Sequence, residues 1–217
     1  MWSVVTLDWS QLTRPWPKEL VCSCISEACR KDARRPHLHE QKETPRAARP
    51  KVKWVAPEEN WRKNNCDGAY DDRRKIGGRG FVIRDHTGFS LGAGSRWYGL
   101  VASPLMAEAL AARDGLALAL ATGSTKVVLE LDNLSLVRSL NDLGADRLEV
   151  SGLFYEILEL GRAFSEFSVV FVRRGANTVA HLCAKTASST NPLLKWTTDL
   201  PLAVLEAVVK DCTPVPD

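Results

Sequence analysis

The run Thr125-Lys126-Val127-Val128-Leu129-Glu130-Leu131-Asp132 is the clearest buried strand in the chain, and it passes at Asp132-Asn133 directly into a segment with helical spacing, 133–140. A β-branched apolar run of this length, closed by a polar pair, predicts a strand covered on both faces. A covered strand leading into a helix belongs to an α/β layer arrangement. In such sheets ligands gather outside the carboxyl ends of the strands, where Asp132 stands. The plainer role for Asp132 is that of a helix N-cap, which is compatible with a second one.

Three strands are predicted before it. The first runs from Trp61 to Asp67 and is closed by Gly68 and the turn-forming cluster Asp71-Asp72-Arg73-Arg74-Lys75. On a period of two, Lys63, Asn65 and Asp67 share one face, while Asn64 and Cys66 share the other. An all-polar strand face is out of place in a core and suits the floor of a site; Asp67-Gly68 by itself reads as a turn. Gly77-Gly78-Arg79-Gly80 opens a second strand through Arg84, Asp85-His86-Thr87-Gly88 predicts a hairpin turn, and Phe89 to Trp97 returns as a third. The glycines lack the lysine and serine of a phosphate-binding loop, so a twisted strand entry is the favoured reading.

Ser103-Pro104 predicts a helix N-cap and first residue, with Gly123 as the stop. Glu108, Ala112, Gly115 and Ala119 fall on one stripe, small enough to lie close to a sheet and to aim Glu108 towards it. An isolated glutamate there is otherwise a surface residue favoured by the helix dipole. Residues 148–164 predict a packing helix with Leu153, Ile157, Leu158 and Leu160 on its apolar face. Phe167 to Val172 predicts a further strand, and Arg173-Arg174-Gly175-Ala176-Asn177 leads into a helix through His181 to about Ala187. Asn177, His181 and Lys185 are four apart and share a face of it. A last amphipathic helix is expected from Trp196 through Leu200-Pro201 to Val209, fraying at Pro214 and Pro216.

Length and charge set the outer bounds. The 217 residues, 45% hydrophobic and 25% charged, fit one globular domain plus a tail. We expect a basic arm or linker at 1–53, the domain at 54–211 and a frayed end at 212–217. Residues 1–53 hold 11 Lys and Arg against 6 Asp and Glu, a net of +5, and the rest of the chain holds 18 against 20, a net of −2. A basic arm on a near-neutral domain suits contact with a phosphate backbone, or simply solvation. Trp2, Trp9 and Trp16 have helical spacing, but Pro15 and Pro17 end any helix there. No apolar run approaches a membrane span and the first twenty residues lack a hydrophobic signal core, so an intracellular protein, nuclear or cytoplasmic, is expected. Arg30-Lys31-Asp32-Ala33-Arg34-Arg35 is a nuclear address of poor specificity. Cys22, Cys24 and Cys29 lie upstream of His37 and His39, yet lack the paired spacing of a zinc site, so free thiols are the favoured reading.

Set in order, the motifs are Trp54-x-x-Pro57, Lys63-x-Asn65-x-Asp67-Gly68-Ala69, Gly80-Phe81-Val82-Ile83-Arg84-Asp85-x-x-Gly88, Ala107-Glu108-Ala109, Leu129-Glu130-Leu131-Asp132, Arg174-x-x-Asn177-x-x-Ala180-His181-x-x-Ala184-Lys185 and Trp196-x-x-x-Leu200-Pro201. This series resembles the RNase H family, and more closely its plant branch related to retroelement reverse transcriptases. The resemblance spans about residues 54–211. It implies an α/β RNase H-like fold with a mixed five-stranded sheet, three antiparallel strands then two parallel, flanked by helices. It also implies hydrolysis of the RNA strand of an RNA/DNA hybrid by a monomer that holds two divalent ions, Mg²⁺ or Mn²⁺. On that resemblance Asp67, Glu108 and Asp132 are the metal ligands, His181 joins them as a catalytic residue, and Asn65, Arg174 and Asn177 contact nucleic acid. One departure opens an alternative. His181 stands where the enzymatic type carries a fourth carboxylate, as is common in the plant branch, and no basic helix precedes the last expected strand. The competing expectation is therefore an RNase H-fold module that grips nucleic acid with weak turnover or none.

Overall fold

The computed structural model describes residues 52–142, 151–197 and 199–213. The chain divides into two units, Met1–Lys51 and Val52–Asp217. The expectations for the basic arm, its tryptophans and its cysteine and histidine group lie outside the described residues; of the frayed end expected at 212–217, residues 214–217 lie outside them too, while Cys212 is the last residue of a helix.

A mixed sheet forms the domain's centre, in the order β5-β4-β1-β2-β3-β6. Strands β1 (Arg62–Asp71), β2 (Ile76–Arg84) and β3 (Ser90–Tyr98) are antiparallel neighbours. Strand β4 (Lys126–Leu131) lies parallel to β1, and β5 (Glu166–Phe171) parallel to β4. The β2–β3 hairpin closes as expected: Asp85 Oδ1 accepts from the backbone N–H groups of Thr87 and Phe89. Gly88 takes the turn's left-handed position, φ 83°, open to glycine at no steric cost.

Two strand expectations need correction. The sheet has six strands, because β6 (Leu193–Trp196) pairs antiparallel with β3. Its four residues are too few to show a period in sequence, yet they cover an edge that would otherwise present unpaired backbone groups. The last helix consequently starts at Leu202, after Pro201, and not at Trp196. Strand β1 also runs four residues beyond Asp67, and the turn falls on Asp72 to Lys75. Gly68 is a glycine for a different reason: a Cβ there would meet the backbone of Ala107 and Glu108 at 2.4–2.8 Å.

Those backbone atoms belong to α1 (Pro104–Ala121), whose N-cap Ser103 accepts from Met106 N–H. The stripe of small residues seats this helix on the sheet, where a Cβ at Gly115 would lie 2.6 Å from Cys66 Sγ. Every residue from Ala107 to Ala119 is buried, as suits a helix apolar on most of its circumference. Helix α2 (Leu134–Asn141) follows β4, then α3 (Ser151–Arg162), which buries Leu153 and Ile157 as its pattern predicts. On another side of the sheet α4 (Thr178–Lys185) and α5 (Leu202–Cys212) close a core of Val82, Ala93, Val179, Cys183, Val204 and Val208. No helix among the described residues is long and apolar enough to cross a membrane.

Candidate metal centre

The sheet register brings the first two carboxylates together. Cys66 on β1 pairs with Leu131 on the parallel strand β4, so the next residues, Asp67 and Asp132, stand side by side. Asp132 is free for this position because Asn133 caps α2, its Oδ1 accepting from Leu136 N–H at 3.0 Å. The N-cap role considered for Asp132 therefore falls to its neighbour. The third carboxylate arrives from α1: the Gly68 N–H donates to Glu108 Oε2 at 3.1 Å, a contact that the missing Cβ of Gly68 permits. Asp67, Glu108 and Asp132 each offer an oxygen, and these atoms all lie within 4.8 Å of one another.

Gathered carboxylates out of water resist ionisation. Burial, above all, pushes the Glu108 carboxyl up to about 9, and the charges of Asp67 and Asp132 add to it, against weaker relief from the Gly68 N–H and Arg174. Burial raises Asp67 as well; its hydrogen bond to His181 opposes that rise and the charge of Asp132 reinforces it. Such a cluster favours a cation, which would take over the role of the proton. The donor set is all hard oxygen, which suits Mg²⁺ or Mn²⁺ over softer ions.

His181 reaches the cluster from α4, its Nδ1 lying 3.0 Å from Asp67 Oδ2. Arg174 flanks the other side, its Nε 3.3 Å from Asp132 Oδ2 while its side chain stays 83% exposed. The two remaining residues expected at nucleic acid are placed otherwise. Asn65 and Asn177 are buried at 0% and 1% exposure, and their amides are spent inside the fold. Asn65 Nδ2 donates to Glu130 Oε2 at 2.8 Å and to Asn177 Oδ1 at 3.3 Å, and Asn177 Nδ2 donates to the Cys66 carbonyl at 2.8 Å. They brace the site from behind and offer no side chain to a ligand.

Sequence reasoning missed the charges that hold these asparagines. Glu130 pairs with Lys63 at 2.6 Å, and Arg84 pairs with Asp211 at 2.8 Å. A signal was present: Glu130 and Arg84 each stand in an apolar strand run, and charges at such positions are seldom enclosed without a partner.

A family model described as reverse transcriptase-like matches residues 65–187. Among solved structures, the N-terminal RNase H domain of a Mycobacterium tuberculosis protein, fused to maltose-binding protein, aligns at a TM-score of 0.55 and 21% identity, over 58% of this chain and 92% of that one. RNase H1 of the halophilic archaeon Halobacterium salinarum aligns at 0.55 and 21%, over 58% and 96%. LC11-RNase H1, from compost, solved with an RNA/DNA hybrid, aligns at 0.54 and 20%, over 58% and 95%. These likenesses establish the fold. No curated protein matches the sequence.

Proposed function

The chain belongs to the reverse transcriptase-like family, and on that premise we propose that it is a divalent-metal-dependent endonuclease that hydrolyses the RNA strand of RNA/DNA hybrids. The observation that carries this reading is the convergence of Asp67, Glu108 and Asp132 within 4.8 Å. LC11-RNase H1, similar in fold, was solved in complex with an RNA/DNA hybrid.

A pair of Mg²⁺ or Mn²⁺ ions would supply, when bound, the positive charge that stabilises both the attacking and the leaving oxygen of an in-line phosphodiester displacement. The protein's own groups do the rest. Asp67, from the middle strand pair, and Asp132, from the end of β4, fix the ligand oxygens on rigid elements. Glu108 would have to give up its proton to solvent to serve as a ligand beside them. His181 holds Asp67 Oδ2 and so limits the rotation of that carboxylate. Arg174, mostly exposed, is free to exchange Asp132 for a substrate phosphate. In the displacement a water oxygen bonds to phosphorus as the bond to the 3′ oxygen breaks; the water gives up one proton to solvent and the leaving oxygen takes one from it, so that a 3′ hydroxyl and a 5′ phosphate remain. Selection of RNA would rest on the shape and 2′ hydroxyls of the hybrid's minor groove.

One observation favours a second reading. The cluster among the described residues contains three carboxylates, with a histidine beside Asp67. Imidazole is a poorer partner for a hard ion than a carboxylate, so a second ion would be held weakly and the domain would act as a hybrid-binding module. A labelled RNA/DNA hybrid incubated with wild type and Asp132→Asn in Mg²⁺ or Mn²⁺ separates the two. We expect wild type to cut the RNA strand and the variant to lose at least about 100-fold in rate, the scale of a lost electrostatic group at a reacting centre. Binding of the hybrid by wild type, without cutting in either metal, supports the module instead.

A further inference from the structure

A buried polar chain runs from α5 to the peptide that carries Asp67, and from Arg84 onwards each donor points towards that peptide. Arg84 on β2 is fully buried. Its Nη1 donates to Asp211 Oδ2 on α5 at 2.8 Å and its Nη2 to Asn65 Oδ1 at 2.9 Å, while the guanidinium lies 3.6 Å over the Trp54 ring. A guanidinium only donates. Asn65 must therefore turn its carbonyl oxygen to Arg84, which leaves its NH₂ for Glu130 Oε2 and Asn177 Oδ1. Asn177 then has its own NH₂ left for the Cys66 carbonyl, 2.8 Å away. The orientation of two amides follows from one charge.

The chain ends where the candidate metal centre begins. Asn177 immediately precedes α4, and the His181 N–H one turn later donates to its carbonyl at 3.1 Å. Helix α4 is thus tied to β1 twice, by Asn177 to the carbonyl just before Asp67 and by His181 to the Asp67 carboxylate. Loosening the first tie frees the second. The network is also neutral, Lys63 and Arg84 against Glu130 and Asp211. Arg84 Nε is left without a hydrogen-bond partner, but the bonds named above tie the network together in a low-dielectric interior, where each is strengthened.

We infer that Arg84 is a positioning residue for the candidate metal centre, setting the Asn65 and Asn177 amides and through them the seat of His181 against Asp67. The inference rests on the reading of Asp67 as a metal ligand. It also draws Trp54 and Asp211, which lie outside the matched residues 65–187, into the support of the site. Lysine at 84 could not replace the planar fork that serves Asp211 and Asn65 together.

The test compares wild type with Arg84→Lys, Asn177→Ala and the double variant. It uses NMR of asparagine side-chain amides in metal-free protein, and calorimetric titration with MnCl₂. In Arg84→Lys the Asn177 side-chain amide should lose its slow exchange while backbone amides of β4 keep theirs, and Mn²⁺ affinity should fall on the order of tenfold, as for other residues that orient metal ligands. The double variant should bind Mn²⁺ no more weakly than Asn177→Ala alone. An unchanged Asn177 amide in Arg84→Lys, or two affinity losses that simply add, overturns the inference. If Arg84→Lys does not fold, Asp211→Asn keeps the guanidinium but weakens its anchor and must show the same loss of Asn177 protection; full protection there overturns it equally. A wild type that takes up no Mn²⁺ defeats the metal reading itself, and the amide comparison still decides the relay.

Discussion

Glu108 carries the electrostatic cost of the site. Its carboxyl is pushed from its ordinary 4.5 to about 9, so the folded protein holds a proton that the unfolded chain releases across that window. The stabilisation is complete below about pH 4.5 and is lost as the pH rises towards 9. Metal-free protein should therefore show a urea midpoint that declines between pH 5 and 9, and Glu108→Gln should flatten the decline; a wild-type midpoint that stays level over this range contradicts the account. His181→Asp adds a carboxylate beside Asp67. The variant should melt lower than wild type without metal and gain more from Mg²⁺ in thermal shift, with Mg²⁺-supported cleavage raised. Equal gains in both proteins would show that the histidine costs nothing in ion binding. At this scale the acids were legible through the order and spacing of the motifs that contain them, since each taken singly has an ordinary role as a turn, helix-dipole or N-cap residue. Asn65 and Asn177 were not, because an amide at 0% or 1% exposure looks the same in sequence as one in a binding groove.

Among the elements, β4 and α1 were readable, since an apolar β-branched run and a Ser-Pro start are strong local signals. The strand β6 and the extension of β1 past Asp67 were not, because both depend on tertiary partners: the open edge of β3 and the close approach of α1. That approach makes a prediction about Gly68. A methyl group there would press on helix backbone at 2.4 Å, which cannot rotate aside. Gly68→Ala should cost about 1–3 kcal/mol in denaturant unfolding, the usual range for overpacking, and should weaken Mn²⁺ binding by moving Glu108. Gly123→Ala meets no atom within 4 Å, so its cost is confined to the strain of φ 74° at the end of α1, and Mn²⁺ binding should be untouched. Equal losses of affinity in the two variants would remove the link between helix seating and the site.

Across the whole molecule, the fold gathers into one place residues that are far apart in the chain. Asp67 and Asp132 meet through parallel pairing of β1 with β4, Glu108 descends from α1, and His181 comes from α4 after the chain has crossed to β5. The sequence order of strands and helices, with its motifs, was enough to suggest the family, and the matched residues 65–187 establish it. Sequence could not show that Trp54 and Asp211 share a buried arginine with the back of the site. Whether the three carboxylates form a metal centre is read most plainly from anomalous diffraction by crystals soaked in MnCl₂. An anomalous peak enclosed by Asp67, Glu108 and Asp132 is expected in wild type, and its loss in Asp67→Asn. A well-ordered wild-type site with no peak at millimolar Mn²⁺, or a peak held only by other residues, would contradict it.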